Sequence, residues 1–529
     1  TNPQLAAAID WLKKHETDGT YALGMRAQVW NHLSGNKDPA IQLQIRRDAT
    51  LLASGATNTG GKGFRGLYYY RATDHEAYDS SCSQFGVLGM WALERTGLEI
   101  PDAYWQAVEA AWKKNQEADG GWKYVAGNVD RPTTLGMTAA GIATLFVTQD
   151  YLGSKSVTKC AGNTTNVPIS RAMAWMESHL PGAMNDMRGA RNDQVPLYDL
   201  FTLERIGLAS GFKYVGKTDW YREGANALVE KQSPEGGWSN FGPGAGTSLG
   251  LIFLCRGRSP VVMNKLQYSL STPQKPVAEA NWNQRPRDAA NLTRFIAKQM
   301  ERELNWQIVN LDGDIDDLHD SPILYISGNQ PLQFSEAEEG KLKLFVEQGG
   351  LILGHADCAD AQFTKSFKAL GKKLFGNAGE FRNLEATHPI YTRQQFLAKS
   401  WKSKPELMAL SNGVRELMLL LPTGDLARSW QSDDAKIKVE HFQLMADVFL
   451  YTCEGKDLRY RGSTYIVKED PKIKPTKSLT VARINVGINP DPEPGGWRRL
   501  AAVLHNENDV ELRTEIVKLE GNALNAFKV

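Results

Sequence analysis

The stretch Gln116-Glu-Ala-Asp-Gly-Gly-Trp122 recurs later in the chain as Gln232-Ser-Pro-Glu-Gly-Gly-Trp238. Each copy closes an amphipathic segment and precedes a more apolar one. The two copies are separated by two periods of about 58 residues, and a weaker copy at 15–21 precedes them by a similar interval. Repeats of this length are typical of stacked helical hairpins, which bury their faces against their neighbours.

The spacing within the repeat has a mechanical interpretation. A helix ends, a glycine permits the positive φ of the turn, and an indole packs back beneath the helix end. The glutamine amide bridges backbone groups that the helix end leaves unpaired. We therefore predict a structural role for the residues of the two copies, which are Gln116, Gly120, Trp122, Gln232, Gly236 and Trp238.

This pattern resembles the terpenoid-cyclase and prenyltransferase superfamily, whose fold is an α/α toroid. The stretches 79–97 and 198–207 are similar to its inner helices. The resemblance implies a toroid over residues 1–258, and we expect it to lack its first repeat. The predicted inner helices are 22–33, 80–95, 133–151, 193–208 and 247–255. The predicted outer helices are 3–14, 39–53, 101–115, 169–179 and 221–231.

Composition places the chain among ordinary globular proteins. Its 529 residues exceed what one core usually organises, which predicts two or more domains. Apolar residues make up 42% and charged residues 23%, and the net charge of +1 gives no reason to expect nucleic acid as a partner. We find no apolar run long enough to span a membrane. The 5 cysteines are scattered, and their spacing predicts neither a metal site nor a disulfide framework.

The pattern changes after residue 258. Strand-length apolar runs at 261–268, 306–311, 322–327 and 351–355 alternate with helical periodicity at 287–304, 336–348 and 361–374. Ser335-Glu-Ala-Glu338 is a capping box for the second of these helices. Such alternation predicts a mainly parallel, doubly wound sheet with helices on both faces. The chain is therefore expected to be a multi-domain α and α/β protein.

The second half also resembles a known family. The stretches 322–328, 345–353, 357–358 and 388–391 are similar to domain-of-unknown-function family 4159, which is related in architecture to class I glutamine amidotransferases. The resemblance implies an amidotransferase-like domain at 259–460 and carries no established activity.

An internal repeat predicts a further domain. Ile308-Val-Asn-Leu-Asp-Gly313 matches Ile516-Val-Lys-Leu-Glu-Gly521. After a charged linker at 461–477, we expect residues 478–529 to be the beginning of a second α/β repeat, truncated at the end of the chain.

The toroid resemblance directs attention to acidic residues. Asp79 and Glu76 precede a predicted inner helix, at the rim where toroid hydrolases and lyases hold paired carboxylates. Three other acids lie near predicted inner-helix starts: Asp130, Asp193 and Asp199. The macrodipole favours acids at helix N-termini, which is the structural alternative.

Two further patterns are weaker evidence for catalysis, one typical of cyclases and one of zinc-dependent prenyltransferases. Asp314-Ile-Asp-Asp317 spells the D-x-D-D pattern of protonating cyclases, but it lies outside the toroid and is expected to be a loop. A zinc site built on His75, Asp79 and Cys82 has the wrong spacing, and we expect Asp79 to be a helix cap and Cys82 a buried thiol. Neither metal nor cofactor is therefore expected.

Cys358 is the candidate nucleophile of the α/β domain. It follows the strand 351–355, and nucleophiles gather at the carboxyl ends of such strands. His355 and His388 are the candidate bases. Ala356 and Asp360 stand where an amidotransferase elbow has glycines, so an inert cysteine beside a ligand-binding edge is the alternative.

Aromatic residues of the toroid are candidate cavity-lining groups, with a role in the core as the alternative. The candidate ligand-binding residues are Tyr68, Tyr69, Tyr70, Trp91 and Tyr198.

We favour a non-catalytic binding or assembly protein for an unknown small molecule, glycan or protein partner. One alternative is an enzyme that acts on a glycan or isoprenoid in the toroid. Another is a cysteine-dependent hydrolase or amidotransferase at Cys358. Family analogy alone favours an exported or membrane-associated location in a bacterium.

Overall fold

The computed structural model describes residues 2–33, 38–58, 63–152, 158–163, 165–190, 194–272, 275–376, 380–453, 458–463, 465–485, 487, 491–521 and 523–527. The chain forms two compact units. The first, the helical unit, comprises Thr1–Lys155 and Thr165–Cys255, and the second, the sheet unit, comprises Ser156–Thr164 and Arg256–Val529. Within the described residues, no helix is both long enough and apolar enough to cross a membrane.

The helical unit is built of hairpins in which a more polar helix alternates with a more apolar one. The helices are α1 (Pro3–Lys14), α2 (Thr20–His32), α3 (Pro39–Gly55), α4 (Ser80–Glu94), α5 (Asp102–Lys114), α6 (Leu135–Leu152), α7 (Val167–Gly189), α8 (Leu197–Ser210), α9 (Trp220–Glu230) and α10 (Pro243–Gly257). Every predicted helix has a counterpart here, although the start predicted at Asp193 lies outside the described residues. Helices α2, α4, α6 and α8 pack against one another in succession. A two-stranded ribbon, β1 (Tyr214–Val215) with β2 (Thr218–Asp219), connects α8 to α9.

Local sequence signals set the helix boundaries. The side chains of Asn2 and Asp38 accept hydrogen bonds from backbone N–H groups, and each precedes a proline at the first helical position. Asp79 caps α4 in the same way. The inner helices α4 and α6 are buried around most of their circumference, which explains their nearly continuous apolar sequence.

The first repeat turn is held by three contacts. Gln116 Nε2 donates to the carbonyl oxygens of Gly120 and Pro168, both at 2.8 Å. Gly120 has a φ of 96°, which its lack of a Cβ makes possible. Trp122 Nε1 donates to the carbonyl oxygen of Trp112, near the end of the preceding outer helix α5, at 2.9 Å. The indole lies flat against Gly141 of α6, where a Cβ would be 2.5 Å from the ring.

The second repeat turn has the same geometry. Gln232 Nε2 donates to Gly236 O at 2.8 Å, and Gly236 has a φ of 87°. Trp238 Nε1 donates to Leu228 O at 3.0 Å, and the ring lies against Gly250. In both copies a threonine hydroxyl accepts a hydrogen bond from the tryptophan backbone N–H at 3.2 Å. The repeat therefore joins each outer helix to the next inner helix through one indole.

The sheet unit contains a seven-stranded mixed sheet in the order β6-β3-β7-β8-β11-β10-β9. Pairs β3–β6, β3–β7, β7–β8 and β8–β11 are parallel, and the β9 edge is antiparallel. The strands are β3 (Val261–Leu266), β6 (Asn305–Val309), β7 (Ile323–Gly328), β8 (Leu351–Ala356), β9 (Arg382–Asn383), β10 (Met408–Ser411) and β11 (Glu416–Leu421). The residues of β3, β6, β7, β8 and β11 are all buried, as central parallel strands require.

Helices connect most of these strands. They are α11 (Asp288–Gln299), α12 (Ile315–Leu318), α13 (Glu336–Glu347), α14 (Ala361–Leu374), α15 (Pro389–Thr392), α16 (Leu426–Gln431) and α17 (Val439–Thr452). The predicted capping box is confirmed, with Ser335 and Glu338 bonding reciprocally at the start of α13. The antiparallel hairpin of β4 (Ser269–Thr272) and β5 (Lys275–Glu279), and the antiparallel edge, were not predicted.

The described residues between Lys477 and Lys518 form a βαβ element whose two-stranded sheet is distinct from the seven-stranded one. Strands β12 (Lys477–Asn485) and β13 (Val510–Lys518) pair in parallel, and α18 (Pro494–Asn508) connects them. Their side chains are exposed or half-buried, unlike those of the seven-stranded sheet.

Candidate functional site

The first candidate site lies at the N-terminal ends of the inner helices. Its members, which we call the rim cluster, are Tyr21, Gln84, Tyr124, Tyr198 and Asp199. Asp79 borders the cluster: burial raises the pKa values of Tyr124 and Tyr198, and the Asp79 charge adds to both shifts. All of these residues belong to the helical unit.

Asp199 is the acid of the rim cluster. It lies in the first turn of α8, and its Oδ1 packs so closely on Gly136 of α6 that a Cβ there would clash with it. Its side chain makes no hydrogen bond to any residue that the structure describes. Burial raises the pKa of Asp199 from 3.8 to about 6. A carboxyl group with this pKa changes its charge near neutral pH and is suited to bind or transfer a proton.

Gln84 supplies an amide to the rim cluster, where it bonds to Tyr198. Its side chain is fully buried, and its Oε1 accepts a hydrogen bond from the Tyr198 hydroxyl at 3.1 Å. Its Nε2 has no hydrogen-bond partner among the described residues. Buried polar groups are normally paired, so the unpaired amide of Gln84 marks a place for a polar ligand.

Asp79 is bound differently from Asp199. Its carboxylate accepts hydrogen bonds from the Ser81 backbone at 2.8 Å and from the Ser81 hydroxyl, and it caps α4. Cys82 follows in the first turn, and burial, followed by the Asp79 charge, raises the pKa of its thiol to about 12. These contacts are those of a helix cap and a buried thiol. The other predicted acid, Glu76, is exposed.

Aromatic rings form a chain through the rim cluster. Tyr70 stacks on Tyr21 at 6.4 Å, and Tyr21 contacts Phe85 at 4.4 Å between ring centroids. Phe85 then stacks on Tyr198 at 6.3 Å, which contacts the exposed ring of Phe241 at 6.5 Å. This series of rings thus runs from the exposed Tyr70 to the exposed Phe241.

The remaining predicted ligand-binding aromatics lie elsewhere. Tyr68 is fully buried, and its hydroxyl shares a hydrogen bond with that of Tyr104 at 2.9 Å. Tyr69 is half-buried, and its ring packs edge-on against Tyr70. Trp91 is half-buried beneath the guanidinium of Arg95, 3.7 Å from the ring centroid. Of the predicted aromatics, the structure brings Tyr70 and Tyr198 into the chain.

The second candidate site lies at the carboxyl ends of β8 and β11. We call its members the edge network: Gln284, Arg285, His355, Asp357 and Asp425. His355 Nδ1 lies 2.8 Å from Asp357 Oδ1, and His355 Nε2 accepts a hydrogen bond from the Ala427 backbone at 3.1 Å. The second oxygen of Asp357 accepts a hydrogen bond from Gln284 at 3.1 Å. Both ring nitrogens of His355 and both oxygens of Asp357 are therefore paired.

Arg285 connects this network to Cys358. Its Nη2 donates to Asp425 Oδ2 at 2.8 Å and lies 3.6 Å from Cys358 Sγ. Cys358, Ala359 and Asp425 have φ values of 61°, 56° and 40°, in the left-handed region that non-glycine residues rarely adopt. Strained backbone of this kind clusters at ligand and switch sites.

Cys358 is bonded to Cys160 in a disulfide that spans 198 residues of sequence. The spacing of the cysteines did not predict this pair, because scattered cysteines give no pairing signal when the partners are so distant. The Sγ atom needed for a cysteine nucleophile is occupied in this state, and both nitrogens of its predicted base, His355, are paired elsewhere. The other predicted base, His388, caps α15 and lies 3.5 Å from Glu416 Oε1.

Metal-ligand geometry occurs at the edge network. The ligand atoms of His355, Asp357 and Asp425 lie within 4.8 Å of one another. Hydrogen bonds already occupy the ligand atoms of His355 and Asp357, so we interpret the group as a network of paired polar side chains. The D-x-D-D pattern is not a free loop either, since Asp316 forms an ion pair with Lys468 at 2.6 Å and Asp317 is buried.

Several residues of the two sites were missed from sequence. Asp425 follows the carboxyl end of β11, a position that favours ligand sites, and it carries no motif. Gln84 and Gln284 had no signal, because an amide becomes informative only when its partners are known.

A family model matches part of the sheet unit. No curated protein matches the chain. Residues 263–448 match the family described as Domain of unknown function (DUF4159). The seven-stranded sheet of the second unit therefore carries a DUF4159 domain, as the sequence resemblance predicts.

Proposed function

We propose that this protein is a ligand-binding protein and that the rim cluster of its helical unit holds the ligand. One observation carries the proposal: the fully buried Gln84 leaves its Nε2 without a partner among the described residues, while its Oε1 is held by Tyr198, the sequence neighbour of Asp199. A ligand that accepts a hydrogen bond from the Gln84 amide removes the cost of leaving that amide unbonded.

The groups present define the chemistry of that ligand. The amide of Gln84 donates, and the carboxyl of Asp199 accepts above its pKa of about 6 and also donates below it. The flat rings of Tyr21 and Tyr198 offer apolar faces beside them. Hydroxyl groups on a partly apolar ring match this set, so a glycan is the ligand class that we infer.

We infer that the helical unit is an α/α toroid of the terpenoid-cyclase type. The alternation of polar and apolar helices and the two indole-anchored turns support it. An α/α toroid presents the N-terminal ends of its inner helices at one rim, so the inferred toroid would place the rim cluster there.

We infer that the sheet unit is doubly wound and amidotransferase-like without amidotransferase activity. The strand order β6-β3-β7-β8-β11 is that of doubly wound sheets in which the second strand lies outside the first. Ala356 and Asp360 replace the elbow glycines, and the Cys358 sulfur is in a disulfide. The βαβ unit at 477–518 is interpreted as the start of a second α/β repeat, because Ile308 and Ile516 both lie in a second strand.

The disulfide bears on localisation. Disulfides persist in oxidising compartments and are rare where thiols are kept reduced. An exported or periplasmic location is therefore favoured.

Native mass spectrometry of the purified protein tests the binding proposal. We expect a co-purifying ligand whose mass is lost from an Asp199→Leu variant and kept by Asp130→Asn, an exposed acid outside the rim cluster. Retention of the ligand by Asp199→Leu, with the variant folded by circular dichroism, would contradict the proposal.

Glycan hydrolysis at the same place is a second candidate function. It is favoured by the contrast between Asp199, whose pKa is raised to about 6, and Asp79, which accepts several hydrogen bonds. Two carboxyl groups in different environments are the usual acid and base of such enzymes. Turnover of the identified glycan that is lost in Asp199→Asn would favour this function over binding alone.

A further inference from the structure

Residues 158–163 form a strap across the edge network. Arg285 Nη1 donates to Lys159 O at 2.9 Å, and the Gly162 backbone donates to Gln284 Oε1 at 3.1 Å. Asn163 donates to Ala280 O and accepts from the Asn283 backbone, both at 2.9 Å. These residues all belong to the sheet unit. The strap thus satisfies the polar groups that precede α11.

One covalent bond fastens the strap. Cys160 of the strap is joined to Cys358, which follows β8 at the carboxyl edge of the sheet. Ligands of parallel α/β sheets bind outside the carboxyl ends of the strands. The protein's own chain therefore occupies the place where a ligand of this sheet would bind.

The two sulfurs are not equivalent. Cys160 is exposed, whereas Cys358 is half-buried. The guanidinium of Arg285 lies 3.6 Å from the sulfur of Cys358, and Arg285 itself is fully buried. A cation at this distance stabilises a thiolate, which makes Cys358 the better leaving group. An accessible sulfur bonded to a stabilised leaving group is the arrangement that thiol–disulfide exchange requires.

Asp425 opposes this effect in part. Its carboxylate lies within 4.8 Å of both sulfurs, and it is the partner of Arg285 at 2.8 Å. The left-handed backbone at Cys358 and Ala359 favours opening of the disulfide, because its release allows these residues to relax.

We propose that Cys160 and Cys358 form a thiol–disulfide exchange site for a protein dithiol and that reduction releases the strap from the edge network. A thiolate of the dithiol attacks Cys160 Sγ, the Cys160–Cys358 bond breaks, and Cys358 leaves as a thiolate beside Arg285. The second thiolate of the dithiol then attacks the dithiol sulfur that is bonded to Cys160. This breaks the mixed disulfide and frees Cys160. Two electrons pass to the cysteine pair and two protons follow them, while the dithiol is oxidised to a disulfide.

Release of the strap uncovers defined groups. Arg285 loses the Lys159 carbonyl, Gln284 loses the Gly162 amide, and the backbone at 280–283 loses the Asn163 side chain. These groups, with the Cys358 thiol, then face solvent at the carboxyl edge. The reduced protein therefore presents a surface that the oxidised protein conceals.

Glutathione, a monothiol, tests the direction of attack. The full-length oxidised protein is treated briefly with glutathione, free thiols are alkylated, and the cysteines are mapped by peptide mass spectrometry. We expect the glutathione adduct on Cys160 to exceed that on Cys358 by about tenfold. An adduct mainly on Cys358, or a disulfide that reacts only after denaturation, would overturn the proposal.

Hydrogen exchange tests the release. Dithiothreitol should raise the exchange rate of residues 158–163 and 280–285 by about tenfold, while the strands of the sheet keep their protection. Cys160→Ser and Cys160→Ala should show the raised rate without a reductant. Cys255→Ser removes an exposed cysteine that is not in the disulfide, so it should keep the slow rate and the response to dithiothreitol. Unchanged exchange after verified reduction would sink the idea of a releasable strap.

Discussion

The rim cluster and the edge network are both sets of buried and half-buried polar side chains, and they differ in how completely their members are paired. In the edge network, His355 and Asp357 have a partner for every ring nitrogen and carboxylate oxygen. In the rim cluster, the buried Gln84 Nε2 has no partner among the described residues, and the half-buried Asp199 makes no hydrogen bond to them. A paired set contributes to stability, whereas an unpaired one costs stability and is retained for binding. Mutations should therefore affect the two sets in opposite directions.

The largest effect is expected beneath the edge network. The buried Lys265 donates at 2.7 Å both to Asp288 and to the carbonyl of Arg285. Lys265→Met leaves the Asp288 carboxylate buried without its cation, which should lower the free energy of unfolding by about 3–5 kcal/mol. Urea denaturation measures this loss. Lys298→Met, at an exposed position of α11, should change stability by less than about 0.5 kcal/mol. Equal losses of stability in Lys265→Met and Lys298→Met would contradict the expected importance of the buried ion pair.

Asp199→Asn should have the opposite sign. Folding raises the pKa of Asp199 from 3.8 to about 6, so its favourable contribution is complete below the lower value and is lost as the pH rises through the higher one. Asparagine does not ionise, so the variant should be more stable than the wild type by up to about 3 kcal/mol at alkaline pH. The difference should vanish near pH 4, which is about the unfolded pKa of an aspartate. A difference that does not vary with pH would show that Asp199 is paired in solution.

Gly136→Ala should perturb the rim cluster sterically. The new Cβ clashes with Asp199 Oδ1, and such overpacking outweighs the better helix propensity of alanine, for a net loss of about 1 kcal/mol. Asp199→Ala in the same chain removes the clash and should recover the loss. The matched control is Gly182→Ala in α7, where a Cβ meets nothing within 4 Å and stability should rise. A double variant as unstable as Gly136→Ala alone would mean that another contact is at fault.

The smallest effect is expected at Glu76. This acid was predicted as a site residue and is exposed, so Glu76→Gln should change stability by less than about 0.5 kcal/mol. It should also retain any ligand that Asp199→Leu loses. Loss of that ligand from Glu76→Gln would extend the site beyond the rim cluster.

Much of the fold was predictable from periodicity. Inner helices such as α6 are apolar on nearly every face, whereas the outer helix α9 carries a single apolar stripe. Both patterns are visible in the sequence and predict helices. The strands β7 and β8 are continuous apolar runs between helices, which identified a parallel sheet. The hairpin β4–β5 lacked such a contrast and was missed.

The sites were less predictable, because they depend on contacts between distant segments. Asp79 was recognised as a cap from its neighbours in sequence. The pairing of Cys160 with Cys358 and the approach of Arg285 to Asp425 join residues more than a hundred positions apart. A single sequence carries no signal for such pairs, and Cys358 therefore looked like a candidate nucleophile.

The tryptophans of the repeat turns have a consequence for how the helical unit unfolds. Trp122 bonds to the carbonyl end of α5 and lies on Gly141 of α6, and Trp238 connects α9 to α10 in the same way. Each indole thus couples only adjacent helices, so cooperativity passes from neighbour to neighbour. Thermal melting should therefore begin at a terminal hairpin and advance along the chain, and a tryptophan-to-leucine change should divide one transition into two.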